Sequence, residues 1–199
     1  MCLKRFIDIV FSFLGLIIFW WLILLLWLIA TIETKSNGFF TQKRVGRNGK
    51  LFTLVKIKTM NIIQGIDTKI TIKDDKRITK CGKFFRRTKL DELPTLWNVL
   101  KGDMSLVGPR PLLIEYLPLY SVGQMRRHEV KPGITGWAQI NGRNTISWEE
   151  KFELDVWYVD NQSFWLDIKI MVLTIWKVLK REGVSHKQFA TMPKFRGSK

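Results

Sequence analysis

From Ile9 to Ile32 the chain reads IVFSFLGLIIFWWLILLLWLIATI, 24 residues without a charge. An α-helix needs roughly 20 apolar residues to traverse a bilayer core, so the run predicts one membrane-inserted helix. A cleavable secretory leader would carry an apolar stretch of about 7–15 residues ending at a small-residue site, and this run has neither feature. Apolar and polar positions then alternate through FFTQKRV (39–45) and LFTLVKIK (51–58), separated by Gly46-Arg47-Asn48-Gly49. Asn-Gly accepts the positive φ of a tight turn, which predicts a β-hairpin. Residues 61–80 are polar and read as a loop. Leu93, Leu96, Trp97 and Leu100 return at helical spacing before Gly102. Pro94 has no N–H and is tolerated only in a first turn, so this helix is expected to start near Asp91. Ser147-Trp148-Glu149-Glu150 is a capping box opening a helix to about Asp160. Ser163 opens another to about Arg181, whose Trp165, Leu166, Ile170, Leu173, Trp176 and Leu179 sit among lysines, as in a core helix or one lying on a membrane surface.

These elements predict an α/β protein: a membrane-inserted helix over 1–34, a compact and mostly helical domain with a β-hairpin and amphipathic interface helices over 35–185, and a basic tail over 186–199. Lys4 and Arg5 precede the apolar run, and Lys35, Lys43, Arg44, Arg47, Lys50, Lys56 and Lys58 follow it with no acid from Thr34 to Met60. Basic residues favour the cytoplasmic side. Keeping both flanks there requires a re-entrant helix, with its bend expected around Gly15 and Trp20-Trp21; the other reading is a spanning helix that leaves the five N-terminal residues outside. The Trp pair favours the first, since a straight crossing would bury it at mid-bilayer, away from the interface Trp prefers.

The 199 residues hold 33 Lys and Arg against 17 Asp and Glu, a net charge of +16, with 46% hydrophobic residues. That apolar fraction excludes general disorder. The charge calls for an anionic partner: nucleic acid, an anionic leaflet or a phosphorylated substrate. A membrane-tethered, basic nucleic-acid-binding protein is the alternative reading, although no nucleic-acid recognition motif is present. Cys2 and Cys81 are too few and too far apart for a disulfide framework or a zinc site, which suits a reducing compartment.

The chemistry concentrates in two stretches. Asp91-Glu92 lies at an expected helix start, where the positive helix end favours an ionised carboxylate. Arg86, Arg87 and Lys89 precede the pair, and Arg110 follows in Gly108-Pro109-Arg110-Pro111, whose prolines pre-order the arginine. Spacing alone leaves two readings, a salt-bridged surface feature or a nucleophile beside a phosphate clamp. Lys131-Pro132-Gly133-Ile134-Thr135-Gly136 and Asn141-Gly142-Arg143-Asn144 bracket a short apolar stretch. They are read either as a hairpin with glycine turns or as backbone N–H groups approaching an anion near Arg143. His128 and His186 have no partner at metal or catalytic spacing.

KFFRRTKLDELPTLWNVLKGDMSLVGPRPLLIEY (83–116) and RRHEVKPGITGWAQINGRNTISWEEKFELDVWYV (126–159), together with the membrane segment and the stretches at 39–42 and 56–60, resemble the bacterial sugar transferases, specifically the small monotopic phosphoglycosyl transferases. The resemblance runs from Lys4 to Val184. It implies transfer of a phosphosugar from a UDP-sugar to polyprenol (undecaprenol) phosphate, with release of UMP, at the cytoplasmic face of the bacterial inner membrane, as the first membrane step of glycan assembly. It implies Asp91 as the nucleophile of a covalent phosphosugar intermediate and a ligand of Mg²⁺, with Glu92 as the second catalytic carboxylate. Lys58, Arg86, Arg110 and Arg143 are implied at the substrate phosphates, and Asp155 elsewhere in the active site. Membrane lipids and downstream glycosyltransferases are the implied partners, and nucleic acid is not. One departure stands out: family helices of this size commonly break at a Ser-Pro pair, and Trp20-Trp21 occupies that place here.

Overall fold

The computed structural model describes residues 2–61, 75–142, 146–180, 192 and 194–197. Helix α1 (Cys2–Thr34) is followed by the antiparallel hairpin of β1 (Phe39–Val45) and β2 (Leu51–Ile57), with Phe39 opposite Ile57 and Val45 opposite Leu51. Asn48 (φ 54°) and Gly49 (φ 74°) make the turn, as their sequence requires. Then come α2 (Lys80–Thr88), α3 (Thr95–Lys101), β3 (Ser105–Val107), α4 (Val122–Met125), β4 (Gly133–Thr135), α5 (Trp137–Asn141), α6 (Trp148–Asp160) and α7 (Phe164–Lys180).

Helix α1 is one unbroken run of 33 residues, about 50 Å long. The bend expected at Gly15 and Trp20-Trp21 is absent. Without proline every interior residue keeps its i→i−4 hydrogen bond, and nothing forces a kink. Both ends of the helix are nevertheless held by the same body. Near its start, Lys4 Nζ meets Asp167 Oδ2 at 2.6 Å, and Arg5 donates to the carbonyls of Val99 and Leu100 at the end of α3 (2.6 and 2.7 Å). Asp8 Oδ1 accepts from Ser105 Oγ and Leu106 N (3.0 and 2.9 Å), and Ser12 is fully buried. Gly15 admits Leu96, since a Cβ there would lie 2.9 Å from Leu96 Cδ1. Further along, Leu26 and Ala30 pack on Ile57 and Phe85, and Glu33 Oε1 accepts from Cys81 N at 3.0 Å in the first turn of α2.

Helix α2, which the sequence reading did not predict, turns Cys81 and Phe85 toward Leu26 and Ala30 of α1. Its exposed N–H groups are satisfied from outside the helix, by Glu33 and by Thr79 Oγ1, which accepts from Gly82 N at 2.9 Å. Of the loop expected over 61–80, residues 62–74 lie outside the described residues. The Leu93 helix starts later than expected. Leu90–Glu92 forms a 3₁₀ turn entered through Lys89 (φ 64°), and α3 begins after Pro94 and ends at Gly102 (φ 99°). The proline constraint thus holds, with the boundary moved to its other side.

Strands β3 and β4 pair in parallel, Ser105 opposite Gly133 and Val107 opposite Thr135. A Cβ on Gly133 would fall 2.1 Å from Gly108 N, so only glycine lets these backbones meet. The N–H of Gly108 bonds Thr135 O and that of Gly133 bonds Pro109 O. The glycines of 131–136 therefore serve a parallel pairing, in place of the expected hairpin or anion loop. Helix α6 begins at the expected capping box, with Ser147 Oγ accepting from Glu150 N and Glu150 Oε2 from Ser147 N. Helix α7 fits both of its readings: Ile170 is fully buried in a core with Val107, Val130, Ile140 and Tyr158, while Trp165, Ile175 and Trp176 are exposed. A second core joins Leu112, Leu113, Tyr116 and Phe152 to Phe195, so the described part of the expected tail is docked.

Candidate active site

The 3₁₀ turn between α2 and α3 puts Asp91 and Glu92 side by side under the hairpin. Strand alternation turns Phe52, Leu54 and Lys56 of β2 inward, and Lys56 Nζ reaches Glu92 Oε1 at 2.7 Å. Arg110, arriving from the proline-flanked segment after β3, donates to the same oxygen at 3.0 Å, and Lys89 Nζ stands 3.9 Å from it. Burial alone would raise the Glu92 carboxyl, but Lys56, Arg110 and Lys89 hold it well below the usual carboxylate range. Glu92 is therefore a fixed anion that gathers cations, poorly suited to taking up a proton.

Asp91 is in the opposite state. It is 8% exposed, and its Oδ1 is buried with no hydrogen-bond partner among the described residues. Burial, then the adjacent Glu92 charge, push its carboxyl above the usual range, against Lys56, Lys89 and Arg86. The stabilisation expected from a helix start is overridden, because Asp91 sits inside a short 3₁₀ turn and caps no helix. An incompletely solvated carboxylate beside fixed cations is a strong nucleophile toward a phosphoryl group, whose negative oxygens the cations can receive.

Arg86, on the last turn of α2, donates from Nε to Thr59 Oγ1 at 2.8 Å, and Asp91 and Glu92 both act on its charge. The structure thus brings together Asp91, Glu92, Arg86 and Arg110. Lys58 lies apart, at the open end of the hairpin, with Nζ on Ser36 Oγ at 2.5 Å. Asp155 is one step removed. It binds Arg127 through Oδ2 (2.7 Å to Nη2, 3.1 Å to Nε), and Arg127 Nη2 also donates to the Arg110 carbonyl at 2.9 Å. Arg143 lies outside the described residues. Lys56 was missed by the sequence reading, although its place on the inward face with Phe52 and Leu54 marks it, since a lysine there must find an anion. Among the described residues no three His, Cys, Asp or Glu side chains gather as a metal cluster.

A sequence model of the bacterial sugar transferase family matches residues 1–181. The uncharacterized sugar transferase EpsL of Bacillus subtilis (strain 168) is 57% identical over 178 residues, covering 88% of each chain. The undecaprenyl-phosphate galactose phosphotransferase of Salmonella typhimurium is 40% identical over 197 residues, 91% of this chain and 41% of that protein. The UDP-glucose:undecaprenyl-phosphate glucose-1-phosphate transferase of Klebsiella pneumoniae is 44% identical over 189 residues, 89% of this chain and 40% of that protein. The chain therefore spans most of EpsL and about two fifths of the two longer relatives.

Proposed function

The chain belongs to the bacterial sugar transferase family, and from that premise we propose that it is a phosphoglycosyl transferase moving a phosphosugar from a UDP-sugar to polyprenol phosphate. The observation that carries this reading is the buried Oδ1 of Asp91, without a hydrogen-bond partner among the described residues, beside an anion, Glu92, already held by Lys56 and Arg110. The names of the relatives, which pair sugar donors with undecaprenyl phosphate, supply the substrate classes.

In the first half-reaction an Asp91 carboxylate oxygen attacks the sugar-bearing phosphorus. A phosphorus–oxygen bond forms to Asp91, the bond to the bridging oxygen breaks, and UMP leaves with that oxygen. In the second, the acceptor phosphate oxygen attacks the same phosphorus and frees Asp91. Arg110 and Arg86 receive the phosphoryl oxygens, and Glu92 fixes Arg110 and Lys56 around them. Mg²⁺ is part of the proposal. The free Asp91 Oδ1 fits its habit of binding through one or two carboxylates plus substrate phosphates, and it would supply charge neutralisation there. Assaying the purified protein with a panel of UDP-sugars and polyprenol phosphate tests the reading: UMP release is expected with at least one donor and only with the lipid present at steady state. No UMP release from any donor would overturn it.

The same reading places the body on the cytoplasmic face of the inner membrane, with α1 lying along it. Phe6, Ile17, Trp20, Trp21 and Leu24 of α1 are exposed, as are Phe84, Trp97 and Trp165 of the body. A helix bonded at Lys4, Asp8 and Glu33 to one body cannot put its ends on opposite sides of a bilayer without drawing those charges through hydrocarbon. Both ends are therefore expected on the cytoplasmic side, reached by an in-plane helix and no bend. A cysteine placed at the N-terminus, in a background lacking Cys2 and Cys81, should resist an impermeant thiol reagent on intact cells and react after permeabilisation. Labelling on intact cells would show a crossing.

A further inference from the structure

Helix α2 has two occupied sides. Cys81 and Phe85 meet α1, while Thr79, Gly82 and Arg86, at i, i+3 and i+7, meet the chain that leaves β2 at Thr59. That chain is pinned along both edges. On the hairpin side Lys58 N donates to Gly38 O at 2.7 Å, which carries the strand pairing one step past Ile57. On the other side Thr79 N donates to Thr59 O at 3.1 Å and Asn61 N to Arg77 O at 2.8 Å, with Met60 and Ile78 paired as an isolated antiparallel bridge between them. Gly82 lets α2 come this close, because a Cβ there would lie 2.4 Å from Thr59 O.

The pinned stretch touches two of the site's charged groups. Lys56 Nζ is 2.7 Å from Glu92 Oε1, Thr59 Oγ1 accepts from Arg86 Nε at 2.8 Å, and Met60 Sδ accepts from Arg86 Nη2 at 2.9 Å. Arg86 lies in the last turn of α2, from whose end the chain passes through Lys89 directly into the Leu90–Glu92 turn. A guanidinium is a rigid planar fork, so bonds at Nε and Nη2 fix the direction of the whole group. Of the two acceptors the hydroxyl is the stronger, since thioether sulfur accepts weakly. Thr59 is 6% exposed, so little water competes for that bond. Its two roles are separable: the carbonyl holds the cap of α2, and the side chain holds the arginine.

We propose that Thr59 is a positioning residue for the transfer step, its hydroxyl holding the Arg86 guanidinium in the plane that receives the phosphoryl oxygens of the donor. This rests on the transferase reading for the role of Arg86. Thr59 touches the arginine, and the arginine touches the substrate.

A double-mutant cycle on the full-length protein tests it, with Thr59→Val, Arg86→Lys and the double variant, and with Thr59→Ser as the rescue. Valine keeps the shape and the carbonyl of Thr59 and loses the hydroxyl; lysine keeps the charge of Arg86 and has no plane to orient. Two quantities are read for each protein: the rate of aspartyl adduct formation at subsaturating donor, and the affinity for UDP by calorimetric titration. Thr59→Val is expected to slow adduct formation ten-fold or more and to weaken UDP binding at least three-fold, with Thr59→Ser recovering most of both. In the Arg86→Lys background the same change should alter either quantity less than two-fold. A joint that only supports the fold would act equally in both backgrounds, so equal effects overturn the role. So does a wild-type rate in folded Thr59→Val. Thr59→Ala runs the same cycle beside it, so a poorly folding valine variant does not decide the outcome. If wild type forms no adduct, the transferase reading fails instead, and the UDP affinities decide Thr59 by the same cycle. Wild type that binds no UDP rejects the role.

Discussion

Asp91→Asn is expected to leave a folded protein with turnover lowered roughly 10⁴-fold or more, about 5.5 kcal/mol of lost transition-state stabilisation. The fold should tolerate the change, because Asn matches Asp in size and the buried Oδ1 has no hydrogen-bond partner among the described residues to lose. The amide cannot form the acyl phosphate, so the loss falls on chemistry, and substrate binding through Arg86 and Arg110 should persist. Intact-mass spectrometry after incubation with donor alone is the direct measurement: wild type gains the mass of one phosphosugar on the peptide carrying Asp91, and the variant gains none. Near-normal turnover in the variant would remove Asp91 from the nucleophile's role. The pH dependence has a definite sign. Because burial and Glu92 raise the Asp91 carboxyl above its ordinary value of 3.8, the rate of adduct formation should fall, as pH is lowered, at a higher pH than an ordinary aspartate would give.

What could be read from the sequence was what local pattern dictates. The hairpin followed from strand alternation around Asn48-Gly49, and α6 from its capping box, because each is encoded within about ten residues. The elements set by distant contacts were not legible. Helix α2 draws on one such contact, Glu33 from α1 accepting from Cys81 N, although its Cys81, Phe84 and Phe85 recur at helical spacing and went unread. The path of α1 follows a seam of Lys4, Asp8, Ser12 and Gly15 at i, i+4, i+8 and i+11, whose small and polar residues meet the body. Within an otherwise apolar run that seam marked a protein-facing side, but the charge balance of the flanks and the central Trp pair drew the reading toward a bend, against the missing proline. At the site, Asp91, Glu92, Arg86 and Arg110 were reached through the family resemblance, since spacing alone could not separate a phosphate clamp from a surface salt bridge. Lys56 needed the parity of β2 in addition. Asp155 was reached by the same resemblance, but its link to Arg110 required the fold itself, because it passes through Arg127, 28 positions away from it in the chain.

That relay carries the second large expectation. Arg127 and Asp155 are each 1% exposed at their side chains, and Asp155 is the one carboxylate bonded to the Arg127 guanidinium among the described residues. Asp155→Ala leaves a fully buried guanidinium uncompensated, and such a break costs about 3–5 kcal/mol. Arg127 must then shift toward water or other acceptors, releasing the Arg110 carbonyl that it holds at 2.9 Å. A lower thermal midpoint and a raised donor KM are both expected. A double variant separates stability from positioning. Arg127→Met with Asp155→Leu replaces the pair by apolar groups of similar volume, and such replacements of buried ion pairs are often neutral or stabilising. The midpoint should return most of the way to wild type, while the donor KM stays high because nothing anchors the Arg110 backbone. Thermal unfolding in detergent, set beside steady-state kinetics for the wild type and both variants, gives the comparison. A double variant with normal KM would reduce the pair to a packing element, and an Asp155→Ala protein as stable as wild type would show that the guanidinium finds another anion.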